Sequence, residues 1–126
     1  MIIHNLDGFR LTLHQEYIEV NFHNASHFDE ASFLQALQLK YEHYGEKAVG
    51  IWVLRTDIAA THSFDPMILV TYKKVLEENA RWVVVISKEL SDLKDLQYVQ
   101  QFTTIPCNFV STATEADTWV RKLNEL

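Results

Sequence analysis

Two short runs decide what this chain can fold into: residues 48–54, AVGIWVL, and residues 82–86, WVVVI. Neither carries a polar residue at every second position. Strand side chains alternate between faces, so a strand without alternation keeps both faces out of water. Such strands belong in a sheet with helices on both sides, where parallel pairing with right-handed crossovers is the rule. A helical pattern follows each run. After 48–54 and a loop over 58–64, Asp65-Pro66 opens a helix, with Asp as N-cap and Pro at N1, where its missing N–H costs nothing. Ile68, Tyr72, Val75 and Leu76 carry the helical period to about Asn79. After 82–86, Ser91 is placed to cap a helix through about Gln101, with Leu93, Leu96 and Phe102 on one side. Residues 107–110, CNFV, make a last short strand. Thr112 and Glu115 then form a capping box ahead of a helix over 114–125, whose apolar stripe is Ala116, Trp119, Val120 and Leu123.

The first third of the chain has a different pattern. Phe9, Leu11 and Leu13 alternate with polar residues, and so do Ile18, Val20 and Phe22. The two segments read as a β-hairpin at one edge of the sheet, with Met1 to Ile3 as a short edge segment ahead of an Asp7-Gly8 turn. Ser26 as N-cap, with Asp29 three residues on, predicts a helix over 28–44 that ends at Gly45. Its expected inward stripe is Phe33, Leu34, Leu37, Tyr41 and Tyr44. The fold class is therefore α/β: a mixed, mainly parallel sheet of four to five strands, an N-terminal β-hairpin and four helices. The length of 126 residues suits one domain over 1–126. Gly50, inside a central strand, marks a place where a neighbour approaches closely.

This layout resembles the STAS-like fold of bacterial anti-sigma-factor antagonists. It resembles more closely their divergent SpoIIAA-like (STAS/SEC14-like) small relatives. The resemblance rests on the hairpin, the helix opened by Ser26-His27-Phe28-Asp29, the strand 48–54, and the ending FVSTATEADTWVRKL over 109–123. In that ending, Glu115-Ala116-Asp117-Thr118-Trp119-Val120 matches the E-A-x-x-W-[VL] helix of divergent members. Regulatory members carry a phosphorylatable serine in an Asp-Ser-[Ser/Thr]-Gly segment at the start of the second helix. Here that stretch reads Thr61-His62-Ser63-Phe64-Asp65-Pro66-Met67, and the motif is absent. A phosphate on Thr61 or Ser63 would also sit near Asp57 and Asp65, whose charges oppose it.

Charge and motifs narrow the function. Lys plus Arg is 11 against 17 Asp plus Glu, a net charge of −6. That balance opposes nonspecific binding to nucleic acid or to an anionic membrane surface. With three glycines and no phosphate-binding loop, a nucleotide cofactor is not expected. The one cysteine, Cys107, cannot pair internally and reads as a core residue, and no metal site emerges from the six histidines. The first residues do not form a signal peptide and no run approaches a membrane span, so the cytoplasm is the expected location.

Polar residues collect where the parallel strands should end. Arg55 and Asp57, then Thr61, His62 and Ser63, follow the 48–54 strand; Ser87 and Lys88 follow 82–86; Ser111 follows 107–110. Ligands of open α/β sheets bind outside the carboxyl ends of the strands. Arg55, Asp57, Thr61, His62, Ser63, Lys88 and Ser111 are thus the candidate rim for a partner or ligand. No catalytic set emerges, because Ser63 lacks a nucleophile elbow and neighbours in sequence do not make a triad. Three functions stay open. The first is a non-catalytic regulatory or protein-interaction module, binding a protein partner or itself. The second is a binder of a small apolar or acyl ligand, in a pocket between the sheet and its aromatic helices. The third is a small hydrolase using His62. A solid interior favours the first, and a cavity of roughly several hundred Å³ favours the second.

Overall fold

In the computed structural model, which describes residues 1–22, 26–55 and 62–125, the two apolar runs are neighbouring parallel strands in the middle of the sheet. The chain opens with a meander. Strands β1 (Ile2–Leu6), β2 (Phe9–Leu13) and β3 (Tyr17–Phe22) pair antiparallel. A short β4 (Ser26–Phe28) leads into α1 (Glu30–Tyr44), and β5 (Val49–Arg55) follows. Next come β6 (His62–Phe64), α2 (Met67–Thr71), α3 (Lys73–Asn79), β7 (Ala80–Ile86), α4 (Leu90–Phe102), β8 (Cys107–Val110) and α5 (Ala113–Asn124). Strands β3, β5, β7 and β8 are parallel neighbours, and the sheet order is β1-β2-β3-β5-β7-β8. Strands β4 and β6 form a separate parallel ribbon.

The sheet has six strands, not four to five, because the segment before Asp7 pairs in full with β2, from Ile2↔Leu13 to Leu6↔Phe9. Gly8 closes that turn at φ 83°, a region that side chains disfavour. The described residues hold five helices, not four. Tyr72, at φ −113° and ψ 22°, leaves helical backbone and divides the expected helix over 65–79 into α2 and α3.

Caps and stripes differ in detail. Asp29, not Ser26, is the N-cap of α1, and its carboxylate accepts the Ser32 N–H at 2.9 Å. Ser26 belongs to β4 instead. Ser91 lies inside α4, and Ser87 serves that turn by accepting the Glu89 N–H at 3.0 Å. Thr112 caps α5 through the Glu115 N–H, and Gly45 ends α1 at φ 66°, both as expected. Asp65 accepts the Met67 N–H at 3.0 Å, the bond expected of it, but α2 begins at Met67 with Pro66 in the cap position, one residue later than expected.

In α1, Phe33, Leu37 and Tyr44 of the expected stripe face inward, and Leu34 and Tyr41 do not. Leu34 and Tyr41 are 42% and 41% exposed, while Lys40 is 3% exposed. The inward row is Phe33, Ala36, Leu37, Lys40 and Tyr44, spaced at three, four, seven and eleven. Lys40 is tolerated there because its ammonium donates to the Gly45 carbonyl at 2.7 Å and to Asn79 Oδ1 at 2.5 Å. Asn79 in turn donates to Tyr41 Oη at 3.1 Å, so the network ties α1 to the end of α3.

The two faces of the sheet are packed differently. Trp82, Val84 and Ile86 of β7 meet α5 through Ala116, Trp119, Val120 and Leu123. Gly50 is the register partner of Trp82, and a Cβ built on it would stand 2.0 Å from the indole. The opposite face presents Leu11, Ile18, Val20, Ile51 and Val83 to α1, α2, α3 and α4.

Gly50→Ala should therefore lower unfolding free energy by about 3 kcal/mol, as overpacking of a filled core does. A chemical denaturation midpoint equal to that of the wild type would contradict the Gly50–Trp82 contact. Asp65→Ala should lower it by about 1 kcal/mol, the usual loss of an N-cap; an unchanged curve would show that the Met67 bond adds nothing.

Candidate functional site

The face covered by α1 to α4 is not filled. Branched aliphatic side chains of β3, β5 and β7 supply its floor, and they are too short to reach the helices everywhere. A cavity of about 210 Å³ lies between this floor and α1, α2, α3 and α4. A second, of about 200 Å³, adjoins it toward the carboxyl ends of β3, β5 and β7. The two share Val20, Phe28, Ile51, Phe64, Val83 and Val99 as walls. Phe28 and Phe64 are register partners in the β4–β6 ribbon. Phe28 is held edge-on against Phe9 and Phe22, with ring centroids at 5.3 and 5.9 Å. Among the described residues, the first cavity's walls are apolar apart from Lys40 and Asn79. Burial pushes the Lys40 pKa down, against the opposing charge of Glu46.

The second cavity ends on a charged cluster. Arg55 closes β5, and the first turns of α4 bring in Asp92 and Asp95. The Arg55 guanidinium donates to Asp92 Oδ1 at 3.0 Å, and the two side chains are 5% and 6% exposed. The buried Ser87 hydroxyl donates to the other Asp92 oxygen at 2.5 Å. Asp95 stands one turn further along α4 and lines the cavity. Its pKa is raised, first by burial and then by the Asp92 charge, with Arg55 acting in the opposite sense. The arrangement offers a long apolar space with a hydrogen-bonding end. That is the composition of a pocket for a small amphiphile.

Of the candidate rim, Arg55 lies in this cluster. Lys88 and Ser111 are exposed and line neither cavity. Asp57 and Thr61 lie outside the described residues. His62 and Ser63 belong to β6, and their side chains lie outside the described residues. Asp92 and Asp95 escaped the reading of the sequence. Their signal is the row Asp92, Asp95, Leu96 and Val99, spaced at three, four and seven, which places two carboxylates on the inward stripe of α4. Phe102, expected on that side, is exposed and stacks on Tyr98. The Cys107 thiol is pushed up by burial to about 11, as for an inert core cysteine.

Breaking a buried ion pair from one side strands the other charge. Asp92→Ala should lower stability by about 3 kcal/mol, since both Arg55 and Ser87 lose this acceptor. A loss under about 1 kcal/mol, read by thermal and chemical denaturation, would show that the pair is not held as described.

No protein-family model matches the chain, and no curated protein matches it. Among solved structures, it is similar to an uncharacterised protein of the DUF3478 family with a SpoIIAA-like fold, from Shewanella loihica PV-4. The TM-score is 0.58 at 14% identity, over 88% of this chain and 90% of that one. Among the described residues, no helix is long and apolar enough to cross a membrane. The chain thus has a SpoIIAA-like α/β fold, as its sequence layout implied.

Proposed function

We propose that this domain is a non-catalytic binding module that takes a small apolar ligand between the sheet and α1 to α4. The observation that carries the reading is the pair of adjoining cavities, of about 210 and 200 Å³. An apolar cavity of roughly 150 Å³ is enough to bind benzene. Burying an alkyl chain there gains about 0.8 kcal/mol per methylene. Arg55 is the rim residue assigned to the ligand end; Asp57, Thr61, His62, Ser63, Lys88 and Ser111 remain candidates for the outer edge.

A protein-interaction role is the second reading. It is favoured by Met67 and Val70 on α2 and Leu90 and Tyr98 on α4, all apolar and exposed. The two roles are compatible, because α2 and α4 also wall the cavities, so a ligand would act on the elements that bear these side chains.

Butylbenzene, an apolar probe with no polar head, tests the first reading. Calorimetric titration should give saturable binding to the wild type. Val83→Phe, on a wall common to both cavities, should weaken it by at least about tenfold, or 1.4 kcal/mol. Absence of binding to the wild type, or equal binding to a folded Val83→Phe variant, would refute it.

A further inference from the structure

An open sheet has two edges, and each presents main-chain N–H and C=O groups that can pair with another strand. The edges of this sheet are built differently. One is β8, a strand of four residues that follows Pro106. Its inner side gives the Pro106 carbonyl to the Val83 N–H at 2.9 Å and the Val110 carbonyl to the Ser87 N–H at 3.0 Å. Alternate residues of a parallel strand bond the same neighbour, so Cys107 and Phe109 turn their main-chain groups outward. Side chains of the same molecule cover this edge. Asn108 Oδ1 accepts the Phe109 N–H at 2.9 Å, and Gln100 Nε2 donates to the Cys107 carbonyl at 3.4 Å.

The other edge, β1, is bare. Leu6↔Phe9 closes the Asp7-Gly8 turn. The closing pair of a two-residue hairpin is hydrogen-bonded, and bonded pairs alternate along an antiparallel ladder. Ile2, His4 and Leu6 therefore bond β2, while Ile3 and Asn5 turn their main-chain groups outward. Among the described residues, no strand and no side chain takes those groups. The usual protections of an edge are also missing. β1 has no Lys, no Pro and no bulge, and Ile2 and Ile3 are 44% and 55% exposed.

A second copy of the same strand fits this edge. Laid antiparallel about a two-fold axis at His4, it overlaps all five residues of β1. The outward residues then match: Ile3 faces Asn5 of the partner subunit, and the two exchange both main-chain bonds. On the opposite face of the strand, Ile2 meets Leu6 of the partner subunit, so an exposed apolar side chain gains cover. β1 holds no Asp, Glu, Lys or Arg, so self-pairing sets no such like charges side by side. A β1-to-β8 contact would propagate into a filament, and the side chains on β8 oppose it. We propose that this chain forms a two-fold dimer through antiparallel pairing of β1 with its copy in the partner subunit, giving one continuous sheet. Neither cavity borders β1, so ligand binding and this pairing are separable.

Sedimentation equilibrium at pH 8 should give twice the chain mass of 14.7 kDa for the wild type. Ile3→Pro removes an outward N–H that β2 does not use, and edge strands accept proline. It should stay folded by circular dichroism and give the mass of one chain. A single-chain mass for the wild type even at millimolar concentration would overturn the inference. So would a folded Ile3→Pro that stays dimeric. Loss of the dimer in Tyr98→Lys instead would move the contact to the exposed apolar residues of α2 and α4, and would overturn it too. Cross-linking tests the register without relying on the proline variant. In a Cys107→Ser background, His4→Cys places a thiol at the two-fold axis, where facing Cα atoms of a non-bonded antiparallel pair are about 4.5 Å apart, within disulfide reach. Mild oxidation should join two chains through His4→Cys and not through Leu34→Cys, on the exposed side of α1. No cross-link at residue 4, or an equal yield at residue 34, would overturn the pairing.

Discussion

A missing side chain organises this fold. Gly50 lies beside Trp82 in register on adjacent parallel strands, and the indole occupies the space that any Cβ at residue 50 would need. Trp82 then meets Tyr17 at 6.1 Å and Trp119 at 6.4 Å between ring centroids. Through Trp119 it sets where α5 rests, and through Tyr17 it reaches β3. Tyr17 is held in turn by stacking on His14, whose carbonyl accepts the Tyr44 hydroxyl from the end of α1 at 2.5 Å. Tyr17, Trp52, Trp82 and Trp119 thus gather on one face of the sheet, where they fill space to contact.

The other face of the same strands is built on different chemistry. Ile51, Val53, Val83 and Val85 are short, branched and interchangeable in volume. They meet helices tied by two polar networks as well as by ring contacts such as Phe33 on Tyr72, at 4.9 Å between centroids. The Lys40–Asn79–Tyr41 network holds α1 to α3, and the Arg55–Asp92–Ser87 cluster holds the start of α4 to the ends of β5 and β7. Helices fixed at such points need not collapse onto the floor, and the adjoining cavities lie between the two networks. A buried ion pair is a weak source of stability compared with apolar packing.

What could be read from the sequence follows from how local each signal is. The continuous apolar runs at 48–54 and 82–86 required cover on both faces, and those strands are parallel neighbours. Gly50, Gly45, Asp65 and Thr112 have meanings set by one or two backbone positions, and each was legible. The misreadings share a different cause, namely tertiary partners distant in sequence. Lys40 replaces an apolar residue on the α1 stripe because Asn79, 39 positions away, accepts a hydrogen bond from its ammonium. Asp92 faces inward because Arg55, 37 positions away, pairs with it. Nothing in residues 90–96 announces that partner, and apolarity alone points to Leu93, Leu96 and Phe102. Strands of three residues such as β4 and β6 are too short to show a period.

The contrast between a filled face and a hollow one is the central claim, and xenon tests it directly, because it enters dry apolar cavities and little else. A crystal of the protein pressurised with xenon should show the gas bounded by Phe28, Ile51, Val83 and Val99, and none between Trp82 and Trp119. Xenon absent from the helical side, with Phe28 and Phe64 settled onto Ile51, would contradict the account.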